Sequence, residues 1–131
     1  MVMGNKQIMN TELVWAAGFY DGEGCFSFKN MPRKSGNHHA TVRLGIRQND
    51  RRPLDRFQNA VGFGKVYGPY NRKEGDISSN PYYVWESNRL EDVFNIIELL
   101  LPYLTGPKRE QIWDNCIKYQ IKLDEYGIRR R

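Results

Sequence analysis

The stretch Trp15-Ala-Ala-Gly-Phe-Tyr-Asp-Gly-Glu-Gly-Cys-Phe26 constrains the fold most, because it must turn a helix into a strand through an acidic corner. Asn10 or Thr11 is placed to cap the helix and Glu12 falls in its first turn. Leu13, Val14, Ala17 and Gly18 recur at helical spacing before the glycines end it. Gly18 and Gly22 lie four residues apart, as do Ala17 and Asp21, so one face carries almost no side-chain bulk. Glycine costs ~1 kcal/mol against alanine inside a helix, so such a face needs a packing reason. The expected reason is the same helix of a second copy. Val14, Ala17, Gly18, Asp21 and Gly22 would form the contact, with two acidic ends side by side at the foot of the dyad.

Charge separates along the chain. Between Lys29 and Lys73 eleven basic residues face only Asp50 and Asp55, a net +9, and the whole-chain +5 therefore leaves the remainder at −4. Polarity of this size predicts a polyanion-binding face rather than a generally solvated surface. With 131 residues, 40% hydrophobic and 27% charged, the chain has the composition of one globular domain spanning 1–131. No apolar run approaches the ~18 residues of a membrane span, and Met1 to Asn10 is too polar for a secretory signal. The expected setting is intracellular, with the compartment open. Cys25 and Cys116 are expected as buried thiols in a reducing environment, too few for a zinc site. His38 and His39 are expected in a solvated loop.

Alternation from Cys25 to Met31 puts Phe26 and Phe28 on one side and Ser27, Lys29 and Met31 on the other. After a basic loop over 32–39, Val42, Leu44 and Ile46 turn inward and Arg43 and Arg47 outward, which predicts a long hairpin. Asp50 or Asn49 can cap a second helix buried through Leu54, Phe57 and Val61 and stopped by Gly62-Phe-Gly64. A third strand follows over 65–70, weak at Gly68-Pro69, and a strong fourth over 82–87. Asn88 is placed to cap a third helix with Leu90, Val93, Phe94 and Ile97 inward. Pro102 ends it, and Thr105-Gly-Pro107 starts a last helix with Ile112, Cys116, Tyr119 and Leu123 as its stripe. The basic tail is expected to fray from about residue 124. These elements predict an α+β domain, an antiparallel sheet covered by helices on one side.

Ala16-Ala-Gly-Phe-Tyr-Asp-Gly-Glu-Gly24 resembles the nine-residue signature of the LAGLIDADG homing endonucleases, with Ala16 in place of the first leucine and Glu23 at the position of the metal-binding acid. The resemblance covers nearly the whole chain and implies an αββαββα domain whose sheet forms a DNA-binding saddle. A single motif implies a homodimer acting on a long near-palindromic site. The implied reaction is double-strand cleavage leaving 3′ overhangs, in a protein of intron or intein origin. Magnesium is the implied cofactor, with manganese able to substitute and calcium binding without supporting cleavage. Carboxylate and carbonyl oxygens suit magnesium, and cations of this kind activate water and neutralise phosphate charge.

Residue by residue, Glu23 and the carbonyl of Gly22 are the implied metal ligands, and Asp21 has a weaker case beside a helix-end role. Gln48 matches a water-ordering glutamine. Lys108, or Arg109 one residue on, matches a pocket cation, and Arg51 or Arg52 is a further candidate. The outward strand positions are the expected DNA contacts: Ser27, Lys29, Arg33, Arg43 and Arg47 on the first hairpin, and Lys65, Tyr67, Tyr82, Val84 and Glu86 on the second pair of strands. Arginine and lysine suit guanine edges, while other contacts reach only phosphate. An RNA-splicing maturase or non-cleaving DNA regulator of the same fold is the alternative, and a basic structural protein does not account for an acid between glycines.

Overall fold

The computed structural model describes residues 10–32, 38–71 and 80–126, with residues 28–32, 38–40 and 118–126 described as backbone only. Helix α1 spans Thr11–Glu23, β1 Gly24–Pro32, β2 His38–Gln48, α2 Arg51–Val61, β3 Lys65–Tyr70, β4 Tyr82–Ser87, α3 Leu90–Leu100 and α4 Pro107–Tyr126, with a 3-10 turn at Leu101–Tyr103. The strands form one antiparallel sheet in the order β1-β2-β4-β3. The arrangement is αββαββα with a further C-terminal helix, as the sequence predicts.

Local chemistry explains most boundaries. The Asn10 side chain accepts from the amides of Glu12 and Leu13, and that of Asp50 accepts from Arg52. Gly62 closes α2 in the left-handed region at φ 79, and Pro102 falls where α3 gives way to the 3-10 turn. The start of α3 differs from expectation. Arg89, not Asn88, is its N-cap residue and makes no side-chain cap bond.

One face of the sheet is buried. Phe26, Val42, Leu44, Ile46 and Trp85 meet Leu13, Ala16, Ala17 and Tyr20 of α1, Leu54, Phe57 and Val61 of α2, and Val93, Ile96, Ile97 and Leu100 of α3. Phe57 stands edge-on to Trp85 at 4.6 Å between ring centres, and Trp85 Nε1 donates to the Phe63 carbonyl at 3.1 Å. The stripe of α3 is rotated from the sequence reading. Ile96 and Leu100 join Val93 and Ile97 inside, while Leu90 and Phe94 are partly buried at the margin. Ile112 is buried and Cys116 half-buried on α4, and the latter's burial raises the thiol pKa.

Cys25 corrects the expectation of a buried thiol. Its parity along β1 is that of Ser27, opposite to Phe26, so it faces the open side and is exposed. His38 and His39 begin β2 rather than lying in a loop, and α4 continues through Tyr126, past residue 124. The side chains of Phe28, Tyr119 and Leu123, and residues 1–9, 33–37, 72–79 and 127–131, lie outside the described residues. Among the described residues no helix is long and apolar enough to cross a membrane.

The turn between α2 and β3 tests this packing. Gly64 adopts φ +82, and a Cβ there would stand 2.5 Å from Trp85 Nε1, whereas Gly62 at φ +79 has open space around it. Gly62→Ala should cost about 1 kcal/mol for its backbone alone. Gly64→Ala should cost a further ~1 to 3 kcal/mol for displacing the indole. Urea unfolding at fixed protein concentration measures both, and equal losses would show that the indole moves aside freely.

Candidate functional site

The site forms at the corner where α1 becomes β1. Tyr20, fully buried one turn before the corner, donates its hydroxyl to the Cys25 carbonyl at 2.8 Å, and burial raises the phenol pKa. Its ring lies against Gly24, where any Cβ would collide with it. Glycine is therefore required there by close approach, and Glu23 is left exposed on the outside of the bend. Register puts Gly24 opposite Ile46, so Gln48, two residues further along β2, stands at the same end of the sheet. Gln48 faces Tyr83 across β4 and is half-buried at the rim of the core.

A third segment closes the corner from the other side. The Asp21 carboxylate accepts from the Thr105 amide at 3.0 Å and the Thr105 hydroxyl at 3.4 Å. Lys108 Nζ in turn donates to the Asp21 backbone carbonyl at 2.9 Å. This clasp fixes the start of α4 on the end of α1 and brings an ammonium to the negative pole of the helix, where cations are stabilising. Arg109 turns away, its Nε reaching the Leu101 carbonyl at 3.4 Å. Lys108 is therefore the cation at the corner, and Asp21 has one carboxylate oxygen committed to Thr105.

The donor set suits a hard divalent cation. α1 ends with Asp21 and Glu23 in its last turn and no basic residue of its own there. The Tyr20 carbonyl takes the Gly24 amide and the Asp21 carbonyl takes Lys108. The Gly22 carbonyl lies past the last donor the helix can offer, and no ion pair among the described residues involves Glu23. Among the described residues no three His, Cys, Asp or Glu side chains converge, so one chain offers a single free carboxylate and backbone oxygen at this point.

Arg51 and Arg52 are held elsewhere. Arg51 pairs with Asp55 at 3.2 Å and Arg52 with Asp50 at 2.6 Å. Arg52's side chain and backbone amide together hold the Asp50 carboxyl down at about 2. Both arginines line an open hollow with Asn80 and Tyr83 beside the end of β2.

The exposed stripe of α1 consists of Val14, Gly18 and Gly22, flanked by half-buried Asp21. A Cβ at Gly18 or Gly22 meets nothing within 4 Å. Ala17 is different from the sequence reading. It has no exposed surface and packs inside the core of its own chain, because it points with Leu13 and Tyr20 towards the sheet.

On the open face of the sheet the outward positions fall into rows. Ser27 pairs with Arg43; Arg47 with Val84 and, beyond it, Tyr67; Glu86 stands between Gly45 and Lys65. Arg43 Nε meets Glu86 Oε2 at 3.5 Å, and the Arg47 guanidinium lies 4.3 Å over the Tyr82 ring. Lys29 is placed on β1 by its backbone alone, and Arg33 lies outside the described residues. The sequence reading missed Tyr20, Gly45 and Thr105. Tyr20 had a signal, a tyrosine one helical turn before a glycine that ends a helix, whereas the contacts of Gly45 and Thr105 are long-range.

A family model described as LAGLIDADG endonuclease matches residues 16–119, which include the corner, all four strands and the Lys108 segment. The fold is similar to that of the homing endonuclease I-CvuI, crystallised with the I-CreI target in the presence of 2 mM Mg. The two are 26% identical, with a TM-score of 0.59 over 77% of this chain and 60% of that one. It is also similar to the meganuclease I-SmaMI bound to uncleaveable DNA (20% identity, TM-score 0.66, 86% of this chain and 38% of that one). The archaeal intron-encoded homing endonuclease I-Vdi141I complexed with DNA is a third (21%, 0.56, 72% and 56%). The chain thus spans about 60% of the length of I-CvuI. No curated protein sequence matches it.

The corner geometry predicts unequal tolerance at its two glycines. Gly24→Ala should destabilise the protein by ~1 to 3 kcal/mol, because the new methyl displaces the Tyr20 ring. Gly22→Ala should leave the fold of the single chain unharmed, since the position is open and alanine favours the helix. Denaturant midpoints at fixed protein concentration give the comparison. Equal loss at both positions would place the strain elsewhere.

Proposed function

From the premise that this chain belongs to the LAGLIDADG endonuclease family, we propose that it is a homodimeric, magnesium-dependent DNA endonuclease of the homing type. Its substrate is a long near-palindromic site in double-stranded DNA, cut to leave 3′ overhangs. The observation that carries this reading is Glu23, an exposed carboxylate at the negative end of α1 with the Gly22 carbonyl beside it. Glu23 and Gly22 would hold the cation, and a divalent cation bound there supplies water activation and neutralises charge on the scissile phosphate. Manganese is expected to substitute for magnesium, and calcium to support binding without cleavage.

The surrounding residues have separate tasks. Gln48, at the same sheet end, orders the attacking water by hydrogen bonding. Lys108 offers positive charge to the oxygens on which negative charge develops, and Asp21 acts as the link that holds Lys108 in place rather than as a first-choice ligand. Cutting two strands needs two such corners, and a chain with one motif obtains the second from a second copy. The stripe of Val14, Gly18 and Gly22 is the surface through which two α1 helices can approach closely, with two-fold symmetry carried over to the target.

Glu23→Gln keeps size and removes charge, so single-turnover cleavage in magnesium should fall by several orders of magnitude. Gel shifts of the same DNA in calcium should persist, because affinity comes mainly from phosphate contacts on the sheet. Near-normal cutting by Glu23→Gln would overturn the assignment of the site. Binding without any cutting by the wild type would favour the non-cleaving regulator of this fold. For assembly, Gly18→Leu adds bulk to a position with open space around it in the single chain. Light scattering should show a wild-type dimer at micromolar concentration and a monomeric variant. A wild type that is monomeric and still cuts would overturn the dimer.

A further inference from the structure

The open face of the sheet presents its two arginines on β2 in different ways. Arg47 lies on the Tyr82 ring and, among the described residues, forms no ion pair. Arg43 leans along β2 over Gly45 to reach Glu86. Gly45 is what permits this. A Cβ there would come 2.6 Å from Arg43 Nη1 and 2.8 Å from Cζ and Nη2, so the guanidinium lies flat on the strand where any other residue would lift it. Glu86 is the cross-strand partner of that same glycine, and with Lys65 on its other side it occupies the middle of the sheet. Only Nε of Arg43 is taken by Glu86, and among the described residues no hydrogen bond occupies Nη1 or Nη2.

An arginine fork beside a carboxylate fits a G·C base pair. In the major groove guanine shows two acceptors, O6 and N7, and its cytosine shows one donor, the N4 amino group. A phosphate is a poor match for the same pair, because Glu86 repels it while half-neutralising Arg43. Resting on the endonuclease reading above, we infer that Arg43 and Glu86 together read one G·C base pair in each half-site. Arg43 donates from its Nη atoms to guanine O6 and N7, Glu86 accepts from cytosine N4, and Gly45 leaves the fork the space it needs beside Glu86. Both charged side chains remain partly exposed, at 39% and 28%, so their mutual ion pair is weak enough to adjust when DNA arrives.

The test is selection of bound duplexes from a randomised library in calcium, followed by sequencing, for the wild type and for Arg43→Lys, Glu86→Gln, Glu86→Asp and Gly45→Ala. The wild type should enrich one site with a symmetry-related pair of G·C positions, and replacing each G·C by A·T should weaken binding about 5- to 150-fold. Glu86→Gln should flatten the preference at those two positions only, while affinity for unselected DNA holds or rises. Glu86→Asp should restore part of the preference, and Gly45→Ala should degrade it without changing other positions. Thermal melts of each variant separate these effects from misfolding. Uniform weakening on all sequences, with the salt slope of binding reduced by about one, would make Arg43 a phosphate contact and overturn the inference. An unchanged base profile in both Arg43→Lys and Glu86→Gln would overturn it alone, whereas a wild type that enriches no sequence would overturn the endonuclease reading with it.

Discussion

The contact between Tyr20 and the Gly24–Cys25 segment is the constraint on which the rest depends. A helix and a strand joined without a loop have many possible angles between them. Here the phenol, buried under the core, is tied to the Cys25 carbonyl at 2.8 Å while its ring fills the space a Gly24 side chain would need. That pair of contacts selects one angle. Tyr20 and Phe57 lie 6.2 Å apart, and Phe57 packs on Trp85, so the corner is braced through α2 onto the middle of the sheet. A buried aromatic cluster of this kind is stiff because each ring has little room for another rotamer. Glu23 inherits its position from that stiffness, since among the described residues its side chain forms no ion pair.

The second brace comes from the opposite direction in sequence. Asp21 and Thr105 are 84 residues apart and Asp21 and Lys108 are 87 apart, yet they form two bonds in which the α1 end accepts and the α4 start donates. The arrangement uses one feature of helices twice. The last carbonyls of α1 need donors, and the first amides of the Thr105 turn need acceptors. Satisfying both with one pair of segments places Lys108 at the corner as a consequence of capping. A further tie joins α1 to α2 at its other end, where the Arg56 guanidinium forks onto Glu12 at 3.0 and 2.8 Å and lies 3.9 Å above the Trp15 ring. The helix bearing the site is thus fastened at both ends and packed along one side, with its glycine stripe left open.

The legible parts of the sequence were those governed by local chemistry. Asn10 and Asp50 as caps, Gly62 as a left-handed stop, Pro102 as a break and the alternation of β1 and β2 all follow from a few neighbouring residues. The acidic corner was legible because its glycines and acids are adjacent in sequence. Misreadings arose where tertiary packing decides. Asn88 has the better capping side chain, but the N-cap falls one residue later, at Arg89, and α3 begins at Leu90 with Val93 and Ile96 docked in the core. Ala17 fits a small-residue face by spacing alone, yet the sheet takes it into the core. Residue type alone favours burial of Cys25, whereas its parity places it with Ser27 on the open side. The Arg43–Glu86 pair, the Lys108 bond and the choice between Lys108 and Arg109 depend on contacts between distant segments, which no local pattern encodes.

The two faces of the sheet follow different physical rules, and this division makes a binding surface possible at all. The inner face is closed by helices and gains from every apolar group removed from water. Among the described residues the outer face has no layer over it, so its side chains must be ordered by one another. Arg43 with Glu86 and Arg47 on Tyr82 join neighbouring strands diagonally across the surface, and Tyr82 meets its direct register partner Tyr70 at 5.5 Å between ring centres. Such exposed pairs contribute only about 0 to 1 kcal/mol each. They bias the rotamers of long side chains without fixing them, which lowers the entropy cost of meeting a ligand yet leaves each pair able to open. β3 lies at the edge, exposed along most of its length, and Lys65, Gly68 and Pro69 with the irregular register between Tyr67 and Tyr70 discourage another strand from adding there. An open, basic and weakly pre-ordered face with a protected edge suits a ligand that lies across the strands. A long polyanion has that form.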